Sequence, residues 1–174
     1  MVREAELTDS IAGWLVDHYG GPGHNLLIHE EVSGRWGRRP DILVARAPLA
    51  KSTRDDTEII LIEIERGSKS AIRSRGHGLN QLKKYPGNYK YLAIPDTIMR
   101  GKITEQICVK CAERGFGLLV IKVYGMVTEC LIKPDYFESK SLLAYPVAWK
   151  RWKALRESRD RYRRISGRVI VERE

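Results

Sequence analysis

Apolar positions along the chain change period several times, and each change marks an element. Between residues 3 and 19 they fall at Leu7, Ile11, Trp14, Leu15 and His18 or Tyr19. That is the three-and-four spacing of a helix face, and Gly20-Gly21-Pro22-Gly23 stops it. Residues 24–33 alternate as a strand, with Leu27 and His29 on one side and Ile28 and Glu30 on the other. A turn at 33–37 predicts that this strand pairs antiparallel with the Ile42-Leu43-Val44 run, which Asp41 opens. A polar connection at 47–57 then leads into residues 58–66, whose aliphatic middle fits a strand buried on both faces.

A helical segment follows at 66–85, interrupted by Gly76 and Gly78 and ended by Pro86-Gly87. Strands are predicted at 88–95 and 116–123 with a helix at 102–114 between them, the pattern of a right-handed parallel crossover. Residues 126–132 read as an edge strand returning through Gly125. Beyond Pro134 the pattern changes. Residues 144–165 predict a basic helix carrying Trp149, Trp152, Leu155, Tyr162 and Ile165 as its apolar stripe. The order αβββαβαβ describes an α/β core over residues 1–135, with residues 136–174 as a basic helical extension packed on or beside it.

The end of the 58–66 run breaks its own pattern. Glu63 and Glu65 stand two residues apart, so strand alternation points both to one face. Carboxylates placed there repel and resist desolvation, so a proton, a cationic side chain or a metal must neutralise them. Asp41 has a similar setting, with Pro40 holding the chain extended before it. Neighbouring strands bring Asp41 beside Glu63, and hard oxygens there suit Mg²⁺ or Mn²⁺ with positions left for water and phosphate. An ion-pair site, neutralised by Arg39, Arg66 or Lys69, satisfies the same spacing.

Pro40-Asp41 followed by Glu63-Ile64-Glu65 resembles the PD-(D/E)xK signature of the restriction-endonuclease-like nucleases. That superfamily includes archaeal Holliday-junction resolvases and RecB-type exonucleases. Most members have Lys at the position of Glu65; a minority of restriction endonucleases have Glu-x-Glu. Gln81-Leu82-Lys83-Lys84-Tyr85 is similar to the QxxxY motif that RecB-like members carry on the helix after the catalytic strand, where Gln and Tyr share a face. The resemblance implies an αβββαβ core whose mixed central sheet is flanked by helices. It also implies metal-dependent hydrolysis of DNA phosphodiester bonds in repair, recombination or defence. Asp41 and Glu63 are then metal ligands. Glu65 is a general base or a ligand of a second metal, and Glu6 is the acid contributed by the first helix. Glu4 and Glu6 equally suit a helix N-terminus on charge alone. Lys84 is the substitute for the missing motif Lys, because alternation aims Arg66 away, and Gln81 and Tyr85 position phosphate. A catalytically degenerate nucleic-acid-binding protein, or the nuclease subunit of an assembly, carries the same motifs.

Charge agrees with a polyanionic partner. The net charge is +9, and between Lys150 and Arg168 nine Lys and Arg stand against two acids, which places most of the excess at the C-terminal end. Candidate phosphate contacts are Arg35, Arg38 and Arg39 near the hairpin tip, Lys69, Arg73 and Lys83 after the acidic strand, and Lys150, Arg151, Lys153, Arg161 and Arg164. Solvated basic surfaces give the same composition. The 43% hydrophobic fraction over 174 residues argues for one cored domain and against disorder. No apolar run has the length of a membrane span, and the start of the chain is unlike a signal peptide, so a cytoplasmic protein is expected. Cys108, Cys111 and Cys130 are an odd count, and the CxxC they include falls inside a predicted helix, which reads as packing rather than zinc or redox chemistry. The four histidines are scattered. Expected partners are DNA and a second copy of the chain, with no small-molecule cofactor; many Lys, Arg and Glu beside few Asn and Gln hint at a thermophilic, archaeal-type source.

Overall fold

A computed structural model describes residues 2–31, 39–49, 57–72, 78–139, 144–158, 161–165 and 170–172. Helix α1 (Glu4–Tyr19) precedes strands β1 (His24–Glu30), β2 (Ile42–Pro48) and β3 (Glu58–Ile64). Short helices α2 (Ser68–Ile72) and α3 (Leu79–Lys84) lead to β4 (Tyr89–Pro95), and α4 (Lys102–Glu113) leads to β5 (Gly117–Lys122) and β6 (Val127–Ile132). Helix α5 (Pro146–Glu157) is followed by β7 (Tyr162–Ile165) and β8 (Ile170–Glu172).

Among the described residues the strands form one mixed eight-stranded sheet in the order β6-β5-β4-β3-β2-β1-β7-β8. The first three make an antiparallel meander, and β4 and β5 add in parallel through the two helical crossovers. Strand β6 returns antiparallel at one edge. The antiparallel pairing of β1 with β2 is the expected hairpin; its predicted tip at 33–37 lies outside the described residues.

Two apolar layers cover the two faces. On one, α1 buries Leu7, Ile11, Leu15 and Tyr19 against Leu26, Ile28, Ile42, Val44, Ile60 and Ile62. On the other, Leu27, Leu43, Ala45, Leu61, Leu92 and Ile94 meet Leu79, Leu82, Ile107, Cys111, Trp152 and Leu155. Each fully buried Leu or Ile in these layers contributes about 1.5–3 kcal/mol. Because β3 is covered on both sides, its run of Ile and Leu is uninterrupted, as parallel sheet interiors require.

The C-terminal part corrects the expectation of a helix continuing to residue 165. Helix α5 opens on Pro146, whose missing N–H costs nothing in a first turn, and ends at Ser158. Tyr162 and Ile165 then lie in β7, which pairs in parallel with the open edge of β1. Their spacing of three fits a helix face; in the strand they fall on opposite faces, Ile165 in one apolar layer and Tyr162 against the other, and the available sheet edge decides for the strand. Trp152 and Leu155 are fully buried in the same layer as the core of residues 1–135, so this segment completes the sheet and its cover. The segment expected as one helix over 66–85 starts at Ser68 and is divided into α2 and α3, with residues 73–77 outside the described residues.

Candidate functional site

The acidic cluster is built by strand register. Pairing of Ile42 with Ile62 places Asp41, one residue before β2, opposite Glu63 near the end of β3. Both side chains project to the face covered by α2 to α5, since Leu43 and Leu61 beside them do. Asp41 Oδ2 accepts a 2.7 Å hydrogen bond from the Ile64 amide, which holds the carboxyl over the strand end. The Asp41 and Glu63 carboxyl groups act on each other's ionisation, and both are raised above their usual range, which favours one proton held by the pair near neutral pH. Glu65 lies just past β3, yet its amide still donates to the Ala93 carbonyl at 2.9 Å, so the extended geometry that turns Glu63 and Glu65 the same way persists.

Burial dominates the electrostatics. Glu63 is 4% exposed; desolvation first, then the charge of Asp41, pushes its carboxyl up to about 9. Asp41 is pushed up to about 6, chiefly by desolvation and partly by the charge of Glu4, against the lowering effect of the Ile64 amide. One oxygen of Glu63, Oε1, is buried without a hydrogen-bond partner. An orphaned buried oxygen costs about 1–3 kcal/mol, a cost that a ligand there can relieve.

The ion-pair alternative does not hold among the described residues. Arg39 pairs with Glu31 at 2.7 Å, Arg66 pairs with Glu4 at 3.3 Å, and Lys69 is exposed on α2. No described cation stands within ion-pair distance of Asp41, Glu63 or Glu65. Neither is a metal cage preformed: among the described residues no three His, Cys, Asp or Glu side chains are gathered closely enough to hold an ion. Two carboxyls face each other, and Glu65 is turned aside beneath Gly78, where a Cβ would stand 3.0 Å from its Cγ and Oε1. Gly78 has φ +53°, so glycine there satisfies both a left-handed turn and the close approach of Glu65.

Several expected site residues lie elsewhere. Glu6 is not the helical acid of the site: it closes a capping box with Arg3, accepting from the Arg3 amide at 2.9 Å and from its guanidinium at 3.2 Å. Glu4, three residues before the first buried leucine, is the acid whose charge reaches Asp41. Lys84 makes no ion pair with Asp41, Glu63 or Glu65 among the described residues. Helix α3 starts beside Glu65 at Gly78 and runs back along β3, so Gly87 packs against Leu61 and Ile59. Six residues at about 1.5 Å each put Lys84 roughly 9 Å further down the helix, where it is exposed. Tyr85 is 6% exposed within the apolar layer, and Gln81 is half-buried one turn below Gly78. Their common face is a packing face.

The basic residues divide in two. Lys69, Lys83, Lys150, Lys153 and Arg161 are exposed, with Lys153 over the Trp149 ring at 5.2 Å. Arg151 and Arg164 are committed to the protein. Arg151 Nη1 lies 2.9 Å from His29 Nε2, and His29 Nδ1 donates to the Glu30 carbonyl, which leaves Nε2 as the acceptor and keeps the ring neutral. Arg164 bridges Asp9 and Glu30. Arg35, Arg38 and Arg73 lie outside the described residues. Cys108 and Cys111 lie on α4 as free thiols, and burial pushes Cys111 up to about 12, which keeps it protonated near neutral pH.

No protein-family model and no curated protein matches the chain. Among solved structures it is similar to the SPO1766 protein of unknown function from Silicibacter pomeroyi, at 14% identity over 90% of this chain and 93% of that one, with a TM-score of 0.48.

Proposed function

We propose that this protein is a divalent-metal-dependent DNA endonuclease built on a restriction-endonuclease-like core. The observation that carries the reading is the Asp41–Glu63 pair: two largely buried carboxyls from adjacent strands stand opposite each other, with one unpartnered oxygen and no described cation beside them. A fold that retains so unfavourable a pair gains from it on binding something positive. The order α1, antiparallel β1–β2–β3, helix and parallel β4 supports the core that the sequence motifs resemble.

Asp41 and Glu63 would hold a Mg²⁺ or Mn²⁺ ion through hard carboxylate oxygens, which requires Glu63 in its ionised form. Bound there, the ion would polarise the scissile phosphate and lower the pKa of a coordinated water. The Ile64 amide fixes the Asp41 carboxyl through Oδ2. Glu65, whose side chain lies against the Gly78 turn, would serve as the general base once turned toward the pair. Two cuts on a duplex call for two copies related by a two-fold axis, which light scattering of the free and DNA-bound protein measures.

The test is cleavage of duplex, branched and single-stranded DNA with Mg²⁺ or Mn²⁺ by the wild type, and its loss in Asp41→Asn and Glu63→Gln. DNA left intact by the wild type under all these conditions rules the reading out. One observation favours a second reading, a degenerate binder of the same fold: Glu65 stands where most relatives of the motif have Lys, and no described cation takes its place beside the pair. Salt-dependent DNA binding that is indifferent to metal and to Glu63→Gln identifies that case.

A further inference from the structure

We propose that Arg66 is the phosphate-binding cation of the acidic site, held on Glu4 until a phosphate of a polynucleotide backbone draws it away. The inference rests on the nuclease reading for its substrate class and assigns the charge that the motif position does not supply.

Arg66 directly follows Glu65 at the point where β3 has ended, so both faces of the sheet open there onto one rim. Its Nη2 lies 3.3 Å from Glu4 Oε2, and the two side chains are about equally exposed, at 52% and 51%. Glu4 is also close enough to Asp41 to act on its ionisation. The guanidinium, its carboxylate and the buried acid pair therefore form one sequence across the end of the sheet, with the cation on its solvent side.

Other described arginines are less well placed. Arg39 holds Glu31 at 2.7 Å, Arg164 is fixed between two acids, and Arg151 is turned onto His29. An ion pair between half-exposed groups contributes only about 0–1 kcal/mol, and the 3.3 Å contact is a single one. A phosphate offers the planar guanidinium two parallel charge-assisted bonds, which are roughly twice as strong as neutral ones. Glu4 holds the guanidinium through one contact where a phosphate can take two, and while unliganded the pair keeps the cation on Glu4.

The test is anisotropy of a short labelled DNA duplex in EDTA and low salt, where no cleavage occurs, with inorganic phosphate as competitor. Arg66→Ala is expected to weaken binding about tenfold, as for loss of a hydrogen bond to a charged group. Arg66→Lys restores part of it. Glu4→Gln is expected to tighten binding by about two- to fivefold, the range of an exposed ion pair. Glu113→Gln, an equal charge change at the exposed end of α4, sets the baseline for net charge alone. In an Arg66→Ala background Glu4→Gln should fall to that baseline. Arg66→Ala binding like the wild type, Glu4→Gln matching Glu113→Gln, or a wild type that binds no DNA each overturns the proposal. Competition by millimolar inorganic phosphate that is lost in Arg66→Ala supports recognition of the phosphate group itself. The nuclease reading is judged separately, by metal-dependent cleavage.

Discussion

Asp41 and Glu63 face each other at the end of the β2–β3 ladder, and the Ile64 amide pins Asp41 in that position. Such a pair holds a proton near neutral pH because burial and mutual repulsion both oppose a second charge. The folded state therefore binds more protons than the unfolded chain, whose carboxyls titrate near their ordinary values.

Stability in EDTA should consequently fall as pH rises. Glu63 is raised from 4.5 to about 9, so its contribution is complete below the unfolded value and is lost as pH climbs towards the folded one. Asp41 has the same sign over a lower window. Between pH 7 and 9 the wild type should lose up to about 1.4 kcal/mol per pH unit relative to Glu63→Gln, the slope of one proton. Chemical denaturation of both proteins across this range measures the difference. A constant gap contradicts the shared proton.

Gly78→Ala should destabilise the protein by about 1–3 kcal/mol, since the residue must keep a positive φ and its new methyl meets Glu65 at 3.0 Å. Glu65 then has to leave its place beneath the turn. Thermal unfolding reports the first effect, and the NMR shift of the Glu65 side chain reports the second.

Trp152→Ala should cost about 3–5 kcal/mol, because the indole is fully buried against the sheet and its Nε1 donates to Thr57 at 3.3 Å. Urea titration followed by near- and far-ultraviolet circular dichroism should show one transition shifted as a whole. A transition confined to the C-terminal segment contradicts its place in the common core.

Lys84→Ala should leave stability within about 0.5 kcal/mol and metal affinity unchanged, as expected of an exposed residue at the far end of α3. A loss of metal affinity in this variant restores Lys84 to the site.

Much of this arrangement was legible in the chain because it follows from period and register. The alternation that turns Glu63 and Glu65 one way, and the short segment that makes β2 a neighbour of β3, need only strand geometry. Helix α1 and the two crossover helices follow from apolar spacing in the same way. What could not be read was anything decided by tertiary choice. Tyr162 and Ile165 fit a helix face or a strand, and the open edge of β1 selected the strand. Glu4 and Glu6 both suit a helix start; the capping box with Arg3 took Glu6 and left Glu4 facing Asp41. Lys84 and Tyr85 looked like site residues because α3 follows the acidic strand, but the direction in which the helix runs carries them away from Glu65. The Gly78 turn that covers Glu65 has no signature beyond a glycine near the start of a helix.

Calorimetric titration of the protein with Mn²⁺ at pH 7, in buffers of different ionisation enthalpy, tests the Asp41–Glu63 site most directly. Entry of a cation between these carboxyls should displace their shared proton, so binding should be accompanied by release of about one proton and should be lost in Glu63→Gln. Binding without proton release, equal binding by Glu63→Gln, or no binding at millimolar Mn²⁺ contradicts the assignment of this pair as a metal site.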